Sequence, residues 1–342
     1  MYTLLVMRKW FVRTLIGGLL ALVAMVPVAW AAPSQSPAAS SGSAGQGLEI
    51  SPPVIELSAD PGQTVTTEIR VRNVTKGVLI AKGKTDDFGA GNDESGQPKL
   101  LLDETGATRY SLKYWVSGVP DLTLAPQELK TATVTIKVPA NAEPGGHFGV
   151  VRFTAVPPEL QGTGVSLSAS VGTLILLRVS GAVTDKLSVA EFSAGQTVKD
   201  AKTGAGNWVT KTFFEYGPVS FLVRLKNEGT VHENAQGAIT VKGTFGKNVA
   251  TVNVNPNGGN VLPDSIRRFE QTLNQKKLLG HYTANLAMTY ASGQKLNASL
   301  AFWVIPWKLI LLVIVGLVVL FWLLRLALRK YNEHIIAQAR RR

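Results

Sequence analysis

The sequence predicts an all-β protein, two tandem immunoglobulin-like β-sandwich domains followed by a single transmembrane helix. Residues 48–303 are filled by short alternating apolar and polar segments, separated by Pro/Gly turns and without helical periodicity. Residues 307–324 form an apolar run long enough to cross a hydrocarbon core as a helix. At the other end, Arg8, Lys9 and Arg13 precede an apolar stretch at 14–28 and then Ala29-Trp30-Ala31-Ala32, the order of a secretory signal peptide.

In chain order, residues 1–31 read as the signal peptide, with a cut after Ala31. An uncleaved anchor is the alternative, because Trp30 is unusual at the centre of a cleavage site. Residues 32–47 hold no large apolar side chain and read as a flexible Pro/Ser/Ala/Gly spacer. The first sandwich is expected over 48–183. Within it, Asp60-Pro61-Gly62 is a turn that leads into a strand at 64–73 with Val65, Ile69 and Val71 on one face. Further strands are expected at 131–138, 148–154 and 165–179. The second sandwich is expected over 184–303, with strands at 219–226, 238–245, 248–254, 268–273, 282–290 and 296–303. Gly246-Lys247 marks a hairpin. The transmembrane helix is placed at 304–328 and a basic cytoplasmic tail at 329–342. Trp303, Trp307 and Trp322 lie near the ends of the span, and Arg325, Arg329, Lys330 and Arg340 to Arg342 mark the inner side. The expected location is therefore the cell membrane, single-pass, with the large N-terminal part outside.

The formal charge of +12 would point to nucleic acid if it covered one globular surface. Three positives belong to the signal region, and Lys308 with the tail carries a net six, so about +3 remains for the exported part. Nucleic-acid binding is excluded on that ground. The chain has no cysteine, so stability must come from core burial, and thiol nucleophiles and thiolate metal sites are excluded.

The two halves resemble each other. Ile69-Arg70-Val71-Arg72-Asn73 parallels Val223-Arg224-Leu225-Lys226-Asn227, and Gly146-His147-Phe148 parallels Gly280-His281-Tyr282. Phe148 and Tyr282 are expected in the two cores, with His147 and His281 alternating outward.

Ile50-Ser51-Pro52, Asp60-Pro61-Gly62 before Val71-Arg72-Asn73, and the segment PANAEPGGHFGVVRF at 139–153 together resemble the N-terminal domain of the WxL-interacting protein family, surface proteins of Gram-positive-type bacteria. Asn227-Glu228-Gly229 and Asn260-Val261-Leu262-Pro263 resemble later segments of that family. The resemblance implies a first domain that binds peptidoglycan and a second that engages a host or a partner surface protein. The second domain matches less well, and Trp322-Leu323-Leu324 carries the letters of a Trp-x-Leu motif only inside the membrane run.

No hydrolase motif of the His-Glu-x-x-His, Gly-x-Ser-x-Gly or Ser-x-x-Lys kind occurs where it would be needed, so no enzyme activity and no cofactor is expected. The acidic segment 86–94 (DDFGAGNDE) is read as a solvated loop; the ligand order of a calcium loop is missing, and no metal site is expected. Aromatic residues are the remaining candidates. Tyr110, Tyr114 and Trp115 are placed in one strand, with Trp115 as the central core aromatic and Tyr110 and Tyr114 on the other face for stacking on sugar rings. Asn207-Trp208 is read as an exposed loop aromatic. His147, if outward, would join the ligand-binding candidates Tyr110 and Tyr114. The function expected is a non-enzymatic, membrane-anchored surface protein that binds cell-wall glycan, another surface protein, or both. The alternative is an extracytoplasmic chaperone or assembly factor that binds clients by strand addition.

Overall fold

A computed structural model describes residues 47–102, 104–156, 169–199, 206–291 and 293–339. The expected signal peptide and nearly all of the spacer lie outside these residues, as do residues 165–168 of one expected strand and Arg340 to Arg342.

The architecture is two β-sandwiches and one C-terminal apolar helix. In the first sandwich, one sheet has the order β1 (Leu48–Ser51), β3 (Thr64–Asn73), β8 (Leu129–Lys137), β6 (Val116–Ser117). The facing sheet runs β2 (Val54–Ala59), β10 (Ser170–Val179), β9 (Gly145–Val156), β4 (Leu79–Ala90), β5 (Pro98–Leu101), with β7 (Leu122–Leu124) also on β4. The second sandwich pairs β12 (Gly206–Thr210), β11 (Leu187–Lys199), β14 (Val219–Asn227) and β17 (Ile266–Leu273) with a sheet of β13 (Phe213–Phe214), β19 (Gln294–Val304), β18 (Gly280–Tyr290), β15 (Gln236–Gly243) and β16 (Asn248–Val254). Each sandwich threads a short early strand parallel to its last strand, β2 on β10 and β13 on β19.

The sequence explains these strands locally. Alternation in β3 turns Ile69 and Val71 fully inward, facing Ala132, Val134 and Ile136 of β8 in the same core. Gly62, at φ +83°, supplies the left-handed turn before β3, and Gln63 N–H donates to Asp60 O at 3.0 Å. Phe221, Tyr282 and Phe302 fill the second core, the first and last 5.8 Å apart.

The internal likeness is topological as well as textual. Asn73 and Asn227, both fully buried, end β3 and β14 in the same way. Each Nδ2 donates to the carbonyl four residues on, Gly77 at 2.7 Å and Val231 at 2.8 Å. Each Oδ1 accepts the N–H two residues on, from Thr75 and Gly229. A buried amide that satisfies three or more backbone groups fixes the exit of a strand without exposing it to water.

After β19, Ile305 N–H donates to Phe214 O at 2.9 Å, and the helix α1 (Trp307–Ala339) begins at once. Lys308 pairs with Glu215 at 2.9 Å across this junction. Residues Trp307–Glu333 are long and apolar enough to cross a membrane. The helix continues beyond residue 328, so the basic residues Arg329 and Lys330 are helical.

Candidate functional site

Strand β9 is the pivot of the molecule because both its faces are covered. Residues 145–151 are all buried. Val151, Phe153 and Ala155 point into the first core, whereas Phe148 and Val150 point the other way and join Phe88 and Leu176 in a separate apolar cluster. That cluster forms the outer face of the sheet, where a two-layer sandwich would ordinarily meet water. Leu262 from the second sandwich packs on it, and His232 meets Phe148 edge-on with ring centroids 5.8 Å apart.

This overturns the expected facing of His147 and Phe148. His147 is on the core side of β9, only 4% exposed. Its ring lies 4.2 Å from that of Trp115, Nε2 is 3.0 Å from Glu143 O, and Nδ1 is 3.3 Å from Ser111 O. The register explains the reversal. Gly145 and Gly280, both at positive φ, pair with the last residues of the neighbouring strands, Val179 and Val304. The structural equivalent of Tyr282 is therefore His147, one residue earlier than the textual match. His281 does lie outside its core, against Trp303.

Tyr110, Tyr114 and Trp115 do not form a strand. Residues 113–115 make a 3₁₀ turn, held because Asp87 Oδ1 accepts the N–H groups of Leu112 and Lys113 at 2.9 and 2.8 Å. Trp115 is half-buried at the rim of the first core rather than at its centre. Tyr114 is exposed and donates its hydroxyl to Thr105 O at 2.8 Å. Tyr110 packs against Phe148 and donates to Asp264 Oδ2 at 2.6 Å, which ties the two sandwiches together. Burial and Asp264 push the Tyr110 phenol up to about 12. The predicted ligand-binding residues Tyr110, Tyr114 and His147 thus occupy three different environments: a junction, an exposed turn and the buried core side of β9.

The acidic segment 86–94 is mostly strand rather than solvated loop. Asp86 and Asp87 are buried in β4, and Asp86 accepts from Arg152 Nη2 at 2.8 Å. Glu94 receives Arg224 Nε at 2.7 Å, and this partner holds its carboxyl below the usual range. Its carbonyl also accepts Arg268 N–H at 2.8 Å, so Glu94 is a second tie between the sandwiches. Among the described residues no three metal-ligating side chains gather. Trp208 lies in β12, half-buried, and donates to Ser193 Oγ at 3.0 Å instead of standing free in a loop.

Between these ties an open cleft remains, with a volume of about 630 Å³. Its floor is the outer face of the first sandwich, from Val54 on edge strand β2, through Leu174 and Leu176 on β10, to Phe88 on β4 and Pro98 on edge strand β5. Its roof is the β16–β17 connection from Asn257 to Ser265 together with Ile266 and Arg267 at the start of β17. Glycines 89, 91, 96, 258 and 259 border it, so bare backbone as well as apolar side chains faces the space. Arg267, Asn260 and Glu56 are the polar side chains that matter here; Asn260 Nδ2 donates to Glu56 Oε1 at 2.5 Å. Arg267 carried no legible signal in the sequence, since nothing local distinguishes it from its neighbour Arg268.

No protein-family model matches the chain, and no curated protein is found to be related to it. Among solved structures it is similar to a chain of a chaperone–tip adhesin complex of CFA/I fimbriae biogenesis, at 12% identity and TM-score 0.37, over 75% of this chain and 98% of that one. It is also similar to the YadV chaperone, at 11% identity and TM-score 0.36, over 75% and 100% of the two chains. Another similar structure is the E. coli chaperone DraB, at 13% identity and TM-score 0.33, over 74% and 98%.

Proposed function

We propose that this chain is a non-enzymatic, membrane-tethered protein of the outer cell surface that holds an extended segment of another exported protein in the cleft between its sandwiches. The observation that carries this reading is the apolar outer face of the β9 sheet, left open over Val54 and Leu174 where the second sandwich does not cover it, beside the buried Phe88. An apolar surface flanked by bare glycine backbone suits a polypeptide, which supplies both apolar side chains and backbone partners. It suits a sugar less well, because the rings expected to stack are engaged elsewhere: Tyr110 in the junction and Tyr114 in its own turn. Strand addition has a place beside the cleft. Among the described residues, β2 pairs with residues 174–179 of β10, Thr173 is buried and bonded to Pro52 O, and residues 170–172 are left at the sheet edge. The tether is α1, and the orientation follows from the basic residues at its C-terminal end.

A photo-crosslinking amino acid at Leu174, with a control at Phe245 (98% exposed, far from the cleft lining), tests this in native membranes. The expected result is a polypeptide adduct at position 174, absent at position 245 and reduced by Leu176→Asp. Adducts equal at both positions would overturn the reading. So would sedimentation with purified cell walls that Leu176→Asp leaves intact, combined with no adduct at 174.

A further inference from the structure

Arg267 stands where a guanidinium is costly and has no counter-charge. It is threaded between the two sandwiches: a Cβ on Gly96 would fall 2.2 Å from its Nε, and one on Gly259 would fall 2.5 Å from its Nη2. Glycine at both positions is therefore what lets the side chain reach the cleft. Nη1 donates to Asn260 O at 2.7 Å, and the ring of Phe269 lies 5.3 Å from Cζ. Nε is buried with no acceptor. Burial lowers the affinity of the group for its proton, and no carboxylate acts on it to compensate. Glu56, on the far side of Asn260, is engaged by that amide. Asn260 Oδ1 is itself buried without a donor.

A cation taken partly out of water without a partner is unfavourable, and an anion that enters the same space recovers that cost. The guanidinium fork matches the two oxygens of a carboxylate. The cleft spans the sheet from edge strand β2 to edge strand β5, so a segment can pass through it, and its walls select apolar residues on either side of the anchor. We propose that Arg267 binds the carboxylate of an acidic side chain carried by the polypeptide segment that crosses the cleft. This proposal rests on the cleft being the polypeptide site.

The test uses the full chain in detergent and a library of peptides rich in Val, Leu and Thr, each made with Glu or with Gln at one position. Members carrying Glu should bind on the order of tenfold more tightly than their Gln twins, the effect of one charge-assisted contact. In Arg267→Gln that preference should vanish while the Gln twins bind as before, and Arg267→Lys should keep part of it. Removing an uncompensated charge should leave the Arg267→Gln melting temperature no lower than that of the parent. Glu and Gln twins that bind equally to the parent would overturn the assignment of Arg267 and leave the cleft reading standing. A preference that survives Arg267→Gln would do the same. Failure of every peptide to bind the parent would overturn the cleft reading and this proposal with it.

Discussion

Replacing Glu233 by Gln separates a charge effect from a packing effect at the junction of the two sandwiches. Glu233 follows His232 between β14 and β15, is only 4% exposed, and has an Oε1 with no hydrogen-bond partner. Asp185, in the connection between β10 and β11, lies beside it and is itself held by Arg178 at 3.1 Å. Burial first, then hydrogen bonding and repulsion from Asp185, push the Glu233 carboxyl from 4.5 up to about 7, against smaller opposing effects of Arg178 and the Ala291 N–H. Below the unfolded value both states are protonated and this group costs nothing. Between 4.5 and about 7 the native state keeps a proton that the unfolded chain releases, so stability falls as pH rises. At about 1.4 kcal/mol per unit, the loss is complete above the native value and amounts to ~3 kcal/mol. Glu233→Gln holds the site neutral and removes that slope. For a chain of this size ~3 kcal/mol corresponds to roughly 6–12 °C in melting temperature. Thermal melts of the full chain in detergent should show parent and variant within a few degrees at pH 4 and the variant higher at pH 8. His232 titrates in the opposite sense, because burial lowers its pKa, and it cancels in the difference between the two proteins. A difference that is the same at both pH values, or a variant less stable at pH 8, would refute the reasoning.

His147→Ala removes a ring N–H that donates to a backbone carbonyl and the face of Trp115, so it should cost ~2–4 kcal/mol in denaturant melts; a neutral result would return the side chain to the surface. Phe148→Ala should cost ~3–5 kcal/mol and act on the junction, detected as protease cleavage in the connection at 180–186 before either sandwich is lost. Protease added to intact protoplasts should remove both sandwiches and spare a tag at the C-terminus, and loss of the tag would invert the orientation.

Where local chemistry decides, the strands were legible. The segments at 64–73 and 248–254 match β3 and β16 residue for residue, because alternation and flanking Pro/Gly turns are properties of the segment itself. The Asn73/Asn227 parallel was visible for the same reason. The 3₁₀ turn at 113–115 was not, since it is held by Asp87 from a distant strand, and an aromatic-rich segment alone reads as β. The double burial of β9 left a trace: Gly-Gly-His-Phe-Gly-Val-Val lacks the polar alternation of a strand with one wet face. Which face met the core still depended on register, and a shift of one residue reverses every side chain. Arg267 and Glu233 owe their states to the meeting of the two sandwiches, which no single segment encodes.

The junction between β19 and α1 bears on how a partner is presented. Only Ile305 and Pro306 separate the last strand from the helix; Ile305 is hydrogen-bonded to β13, and Lys308 pairs with Glu215. A linker of many residues would let the outer part wander through a volume set by its contour length. Here no such leash exists on the C-terminal side. Under the proposed function the helix acts as a stem, and tilt of the helix in the bilayer would be transmitted to the second sandwich. The cleft would then be held at a near-constant standoff from the lipid, within reach of segments that emerge close to the membrane. Inserting a short Gly/Ser stretch at 305–306 would leave every contact of the cleft in place and change only this geometry.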